Sequence, residues 1–189
     1  CIITPYLIPS KEQIETIENA VRHGRRIQFL VPSMESNNHT MVHSHYKKYR
    51  KRLLQAGAEL YEFRGNPSAK MRAMSQTAPI RSKFISLHTK GFLLDDEWVL
   101  LGSLNIDPRS IHINTEHMII IESPDLARQM HEDFTWMIDP ANAWKVSLDE
   151  TGQLRWTSET KEVKMQPARS IGQRTSDFFY RLLPIESQL

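Results

Sequence analysis

The sequence predicts an α/β domain built on a mixed, largely parallel sheet flanked by helices. Two helix-then-strand units follow one another near the amino end, an order that lays parallel strands side by side with helices on the sheet faces. Three further apolar strand segments and a helix opening on Ser123-Pro124 extend the pattern. A chain of 189 residues, 40% hydrophobic and 24% charged, suits one domain, or one domain with an appendage, and can bury a core.

The first unit begins with a capping box, Ser10 with Gln13, after which Ile14, Ile17 and Val21 recur at helical spacing until His23-Gly24 stops the helix. Arg26 to Val31 then reads as a buried strand ended by Pro32. In the second unit Val42, Tyr46, Tyr49 and Leu53 predict one amphipathic helix running to about Gly57. Lys47, Lys48, Lys51 and Arg52 fall on or beside its outer face, and Leu60 to Phe63 follows as a strand. Residues 64–83 hold five basic residues (Arg64, Lys70, Arg72, Arg81, Lys83) and no acid, and read as a long basic loop.

Strands are expected at Phe84–Leu94, Val99–Ile106 and Glu116–Glu122. The helix after Pro124 faces the core with Leu126, Met130, Phe134 and Met137, and the core is expected to end there. Trp144–Leu148 and Gln153–Thr157 flank Asp149-Glu-Thr-Gly152 as a β-hairpin. The tail mixes Ile171, Phe178, Phe179, Leu182 and Leu183 with Arg169, Arg174 and Arg181.

Composition excludes more than it assigns. A formal charge of +2 leaves any argument about anionic partners to local clusters. The single cysteine, Cys1, rules out an intrachain disulfide or a cysteine-rich zinc site. No apolar run approaches the roughly 20 residues that span a bilayer. Cys1–Pro9 lacks the order of a signal peptide, and a start at Cys1 rather than methionine leads us to expect a piece of a longer protein.

The chemistry is concentrated in His88-Thr-Lys90-Gly-Phe-Leu-Leu-Asp95 and Gly102-Ser103-Leu-Asn105. If Leu94 pairs with Val99 across the turn Asp95–Trp98, Lys90 faces Ser103 and His88 faces Asn105, all on one side of a hairpin. An imidazole, an ammonium, a hydroxyl and an amide on one face suit phosphodiester chemistry, which asks mainly for positioning and charge stabilisation. Asp95 falls at the turn, too far along the strand to touch the same phosphate, and is assigned a fold-holding role. His45-Tyr46-Lys47 repeats the His-x-Lys spacing without the aspartate or the Gly-Ser-x-Asn, and reads as surface.

Together His88, Lys90, Asp95, Gly102, Ser103 and Asn105 resemble the HKD motif of the phospholipase D superfamily. Ile106-Asp107-Pro-Arg109-Ser110 to Asn114-Thr-Glu116, Pro5-Tyr6-Leu-Ile-Pro9 and Leu53-Leu-Gln-Ala-Gly57-Ala-Glu59 are similar to bacterial cardiolipin synthases. The ending Arg181–Leu189 looks like the carboxyl end of those of the third type. The resemblance implies a phospholipase D-like fold that is one HKD half of a two-motif enzyme, with residues 1–139 as the catalytic half-domain and 140–189 as a C-terminal extension.

It further implies a phosphatidyl transferase working through a phosphohistidine, with neither metal nor cofactor. His88, Lys90 and Asp95 would form the catalytic motif, His88 as nucleophile or as general acid. Ser103 and Asn105 would hold phosphate oxygens, and Glu116 would orient an active-site histidine. The implied partners are phospholipids, such as phosphatidylglycerol or another glycerophospholipid, and the N-terminal HKD half or a second copy. A peripheral place on the cytoplasmic face of the bacterial inner membrane follows. The alternatives are a phosphodiesterase or nuclease using the same site on nucleic acid, ranked below lipid chemistry, and an inactive docking half.

Overall fold

The structure is a computed structural model that describes residues 1–76, 79 and 82–189. One sheet of nine strands organises it. Its centre is β1 (Ile2–Ile3), β2 (Gln28–Pro32) and β3 (Glu59–Phe63), paired in parallel. On one side β4 (Gly91–Leu94), β5 (Trp98–Gly102) and β6 (Met118–Glu122) continue from β1. On the other, β7 (Ala143–Leu148), β8 (Leu154–Thr157) and β9 (Glu162–Val163) continue from β3. The sheet is mixed and helix-flanked as expected. Its parallel share is limited to the centre because hairpins, not helices, join β4 to β5 and β7 to β8, and hairpins enforce antiparallel pairing.

Helices cover both faces. α1 (Lys11–Arg22) starts on the anticipated capping box, Ser10 accepting from the Gln13 amide while the Gln13 side chain accepts from Ser10. Ile14 of α1, with Tyr46 of α2 (Thr40–Tyr46) and Leu53 of α3 (Arg50–Gln55), packs on Phe29, Val31, Leu60 and Trp144. On the opposite face Met71 of α4 (Ala69–Ser75) and Phe134 of α6 (Pro124–Met137) pack on Ile3, Leu30, Tyr61 and Phe63. The short α5 (Pro108–His112) follows β5, and α7 (Ile171–Tyr180) lies against α2.

Several expectations are corrected. The single helix over residues 42–57 is two, α2 and α3, because the turn at 47–49 tightens to bonds such as Tyr49 N–H to the Tyr46 carbonyl. The outer-face assignment fails for Lys47, which is largely covered and pairs with Asp177; Lys48, paired with Glu186, stays exposed, as do Lys51 and Arg52. His45-Tyr46-Lys47 is not surface, since His45 and Tyr46 are buried. The basic loop contains α4, capped by Ser68 on the Met71 amide. Arg72 there donates to Asn66 and to the Ser82 and Lys83 carbonyls, whereas Arg81 lies outside the described residues. The core does not end at Met137, because Ala143, Trp144, Val146 and Trp156 are buried in it.

The hairpin register is also corrected, by one residue: Leu94 pairs with Trp98 and Gly91 with Leu101. Asp95 and Asp96 adopt left-handed φ of 50° and 55°, which short polar side chains tolerate, and this closes a three-residue loop where four were expected. The strands are shorter as well, so His88, Lys90, Ser103 and Asn105 all lie beyond the ladder.

Candidate active site

The four motif residues converge through loops, not through cross-strand pairing. The segment before β4 is clipped to neighbouring loops by Ile85 N–H on the Gly65 carbonyl at 2.9 Å and Leu87 N–H on the Ser36 carbonyl at 3.3 Å. Leu87 is buried in the core, which turns the adjacent His88 outward; Lys90 is half-buried. The segment after β5 runs beside Tyr6–Ile8, with Ile106 N–H to the Tyr6 carbonyl at 3.2 Å and Ile8 N–H to the Ile106 carbonyl at 2.6 Å. Gly102 is obligatory there, because a Cβ would collide with the backbone of His117 and of Met118 at the start of β6.

Tyr6 joins these pieces. Its ring stands edge-on to His88 at 6.0 Å between centroids and to His39 at 5.9 Å. Burial pushes the His88 imidazole below its usual pKa, and the charges of Lys90 and His39 push it further down. The neutral ring is the form a nucleophile or base needs. Lys90 donates to the His88 carbonyl at 3.1 Å. Burial lowers its pKa too, opposed by Glu116 and Asp107. Lys90 has no ion pair within contact distance among the described residues, and the His88 carbonyl is the one hydrogen-bond partner of its ammonium there.

Ser103 accepts from the His117 amide at 3.3 Å. Glu116 lies on this side of the site, its carboxyl held below the usual range by hydrogen bonds from Ser103 and then Asn114, the latter at 3.1 Å. Asn105 is buried and donates to the Ser110 hydroxyl at 3.1 Å, while its Oδ1 has no partner among the described residues. Ser110 is in turn fixed by Asp107, which caps α5 by accepting from the Ser110 amide at 2.6 Å. Burial raises the Asp107 pKa, with the Ser110 bonds opposing.

The structure thus gathers His88, Lys90, Ser103 and Glu116, with Asn105 one hydroxyl behind. Asp95 stands apart, exposed in its turn and 3.7 Å from the Arg25 guanidinium. Sequence reasoning assigned no role to Tyr6, His39, Asp107 or Ser110. Asp107-Pro108-x-Ser110 carried a readable cap signature, Asp followed by Pro at the first helical position. His39 carried none, because only tertiary packing brings it beside Tyr6.

A mixed sheet between helix layers is the fold of phospholipase D-like proteins. Two solved structures share it. A phospholipase D family member, Nuc, from Salmonella typhimurium aligns with a TM-score of 0.52 over 72% of this chain and 76% of that one at 16% identity. Phosphatidylserine synthase of Haemophilus influenzae Rd KW20 gives 0.51 over 72% and 32% at 17% identity.

Residues 1–138 match the family described as cardiolipin synthase, PLD-like domain, and the chain belongs to that family. Cardiolipin synthase C of Escherichia coli K12 is 35% identical over 98% of this chain. The chain spans 40% of that relative's length.

Proposed function

We propose that this chain supplies one half of a phosphatidyl-transferase site acting on glycerophospholipids, with residues 1–139 as its catalytic part. The observation that carries the reading is the convergence of an outward imidazole biased to its neutral form with an ammonium free of any ion pair among the described residues. A neutral His88 nitrogen attacks phosphorus; the P–N bond forms and the P–O bond to the leaving alcohol breaks. That alkoxide takes a proton from a second imidazole, supplied by the other HKD half or a second copy. A lipid hydroxyl then yields its proton to the second imidazole and attacks phosphorus, releasing His88. The lowered pKa supports His88 as nucleophile rather than acid.

Lys90 stabilises the charge on the nonbridging oxygens, helped by Ser103 and the Asn105 amide. Glu116 holds Ser103 and balances Lys90. Asp95 shapes the hairpin turn and does not touch phosphate. The nuclease alternative ranks lower: of the four basic residues that would track a nucleic-acid backbone, Lys47 and Lys48 are engaged by Asp177 and Glu186, while Lys51 and Arg52 stand exposed. No described helix is long and apolar enough to cross a membrane, so access to lipid requires a surface that meets it.

The test mixes this chain, with and without the missing half, with labelled phosphatidylglycerol and separately with plasmid DNA. Cardiolipin from the reconstituted wild type, and none with His88→Ala, is the expected result. DNA cleavage in place of lipid transfer, or activity surviving in His88→Ala, contradicts it.

A further inference from the structure

The C-terminal helix α7 divides its surface into two unlike faces. Its inner face is polar and engaged: Asp177 pairs with Lys47 and receives a hydrogen bond from Gln166, and the Gln173 amide donates to the Met34 carbonyl at 2.7 Å. Its outer face is apolar and bare. Ile171 is 83% exposed, Phe178 58%, Phe179 60% and, in the turn that follows, Leu182 66%. At helical spacing Ile171, Phe178 and Leu182 form one stripe with Phe179 beside it, and Arg174 and Arg181 flank the stripe.

Charge decides what this face suits. Between Lys164 and Ile185 the chain carries four bases, Lys164, Arg169, Arg174 and Arg181, and one acid, Asp177, which is turned inward onto Lys47. What α7 shows to solvent is therefore apolar and cationic without a carboxylate. That composition describes a helix lying in the boundary of an anionic bilayer, with aromatic rings among the acyl chains and arginines at the headgroups. A second bare apolar surface makes the contrast. The outer strands expose Leu94, Trp98 and Ile120 on one face, and its rim is acidic, with Asp95, Asp96, Glu97 and Glu122. An anionic membrane would repel that rim.

We infer that α7, through Ile171, Phe178, Phe179 and Leu182 with Arg174 and Arg181, docks this protein on an anionic lipid surface. The position of α7 gives the docking a purpose, and here the inference rests on the phosphatidyl-transferase reading. Ser170, Gln173 and Tyr180 form one wall of a cavity of about 460 Å³ whose opposite wall holds Asn38 and His39. His39 is one Tyr6 ring from His88. A bilayer under the outer face of α7 would hold the mouth of this cavity at the headgroups.

The experiment is co-sedimentation of the whole chain with vesicles of phosphatidylcholine alone and of phosphatidylcholine mixed with phosphatidylglycerol. Because it reads binding and not transfer, its failure is distinct from failure of the catalytic reading. The wild type should bind the mixed vesicles and release them as salt rises. Arg174→Gln with Arg181→Gln should weaken that binding about 30-fold, at roughly 1 kcal/mol for each arginine near an anionic surface. Phe178→Ala with Phe179→Ala should weaken it at least about 10-fold. Melting temperatures should barely move, since Phe178, Phe179 and Arg181 are exposed and Arg174 is half-exposed with no ion pair among the described residues. Equal binding of wild type and both variants overturns the inference, as does a wild-type dimer that Phe178→Ala with Phe179→Ala converts to monomer without changing vesicle binding.

Discussion

The chain contains the His-x-Lys spacing twice, and the two copies have opposite surroundings. His88 and Lys90 stand at loop ends, His88 exposed and Lys90 half-buried without an ion pair among the described residues. His45 and Lys47 sit in a largely buried polar cluster whose edge, at Glu186, reaches solvent. His45 bonds Glu186 at 3.1 Å, Lys47 pairs with Asp177, and beside them Arg50 pairs with Glu62 at 2.6 Å in full burial. Glu62 also accepts from Tyr46 and from the Trp156 indole, each at 2.9 Å, and Arg50 donates to Gln166 at 2.7 Å. The second cluster satisfies its charges internally and holds α2, α3, β3, β8 and the tail together. The first leaves its charges for something outside the chain. Residue type and spacing are the same; the availability of the groups separates chemistry from structure.

The largest effect should come from the open copy. His88→Ala should reduce lipid transfer by the reconstituted enzyme about a thousandfold or more while leaving the melting temperature unchanged, a pairing that assays and melts of one preparation would check. The closed copy should respond in the opposite sense. Arg50→Ala leaves Glu62 charged and buried without its cation, and should destabilise the fold by about 3–5 kcal/mol in urea unfolding. An Arg50→Ala chain as stable as wild type would dissolve the contrast.

A smaller effect lies in pH. Burial pushes the Glu186 carboxyl up, but hydrogen bonds from Lys48, Tyr49 and His45 outweigh it and hold the pKa at about 2, below its ordinary 4.5. A depressed carboxylate contributes stability in full above its unfolded pKa and loses it as pH falls through the folded one. The tail should therefore loosen between about pH 4.5 and 2, read as faster amide exchange in residues 185–189. Glu186→Gln should show that exchange already at neutral pH. The smallest effect concerns Asp95. Its pair with Arg25 is solvent-exposed and worth little, so Asp95→Ala should cost roughly 1 kcal/mol through its left-handed φ, and Asp95→Gly less. Both should keep most of the transfer activity; loss on the scale of His88→Ala would return Asp95 to the chemistry.

How much was legible follows the range of the interactions. The α1 cap was readable because Ser10 and Gln13 act within a few residues, and the β7–β8 hairpin was readable as a pair of strands, though its register slips by one, Leu148 pairing with Leu154. The motif's residues were readable as a set, while their geometry was not: Asp95 and Asp96 accept left-handed backbone, and that shifts the register by one. Helix α4 was hidden by the glycine, prolines and serines around it, although Ser68 caps it. The Arg50–Glu62 pair and the approach of His39 to Tyr6 depend on contacts between distant segments, to which helical and strand periodicity is blind. The pairing of Lys47 and Lys48 needed Asp177 and Glu186 from the tail, and no local pattern announces such partners.

The most direct test of the contrast is histidine modification. The reconstituted enzyme would be treated with diethyl pyrocarbonate, with and without glycerophosphoglycerol as a soluble phosphodiester, and each site followed by mass spectrometry beside residual activity. His88 should react early, the phosphodiester should slow it, activity should fall in step with it, and His43 and His45 should stay unmodified until the protein unfolds. Modification of His45 at the rate of His88, or full modification of His88 with activity intact, would contradict it.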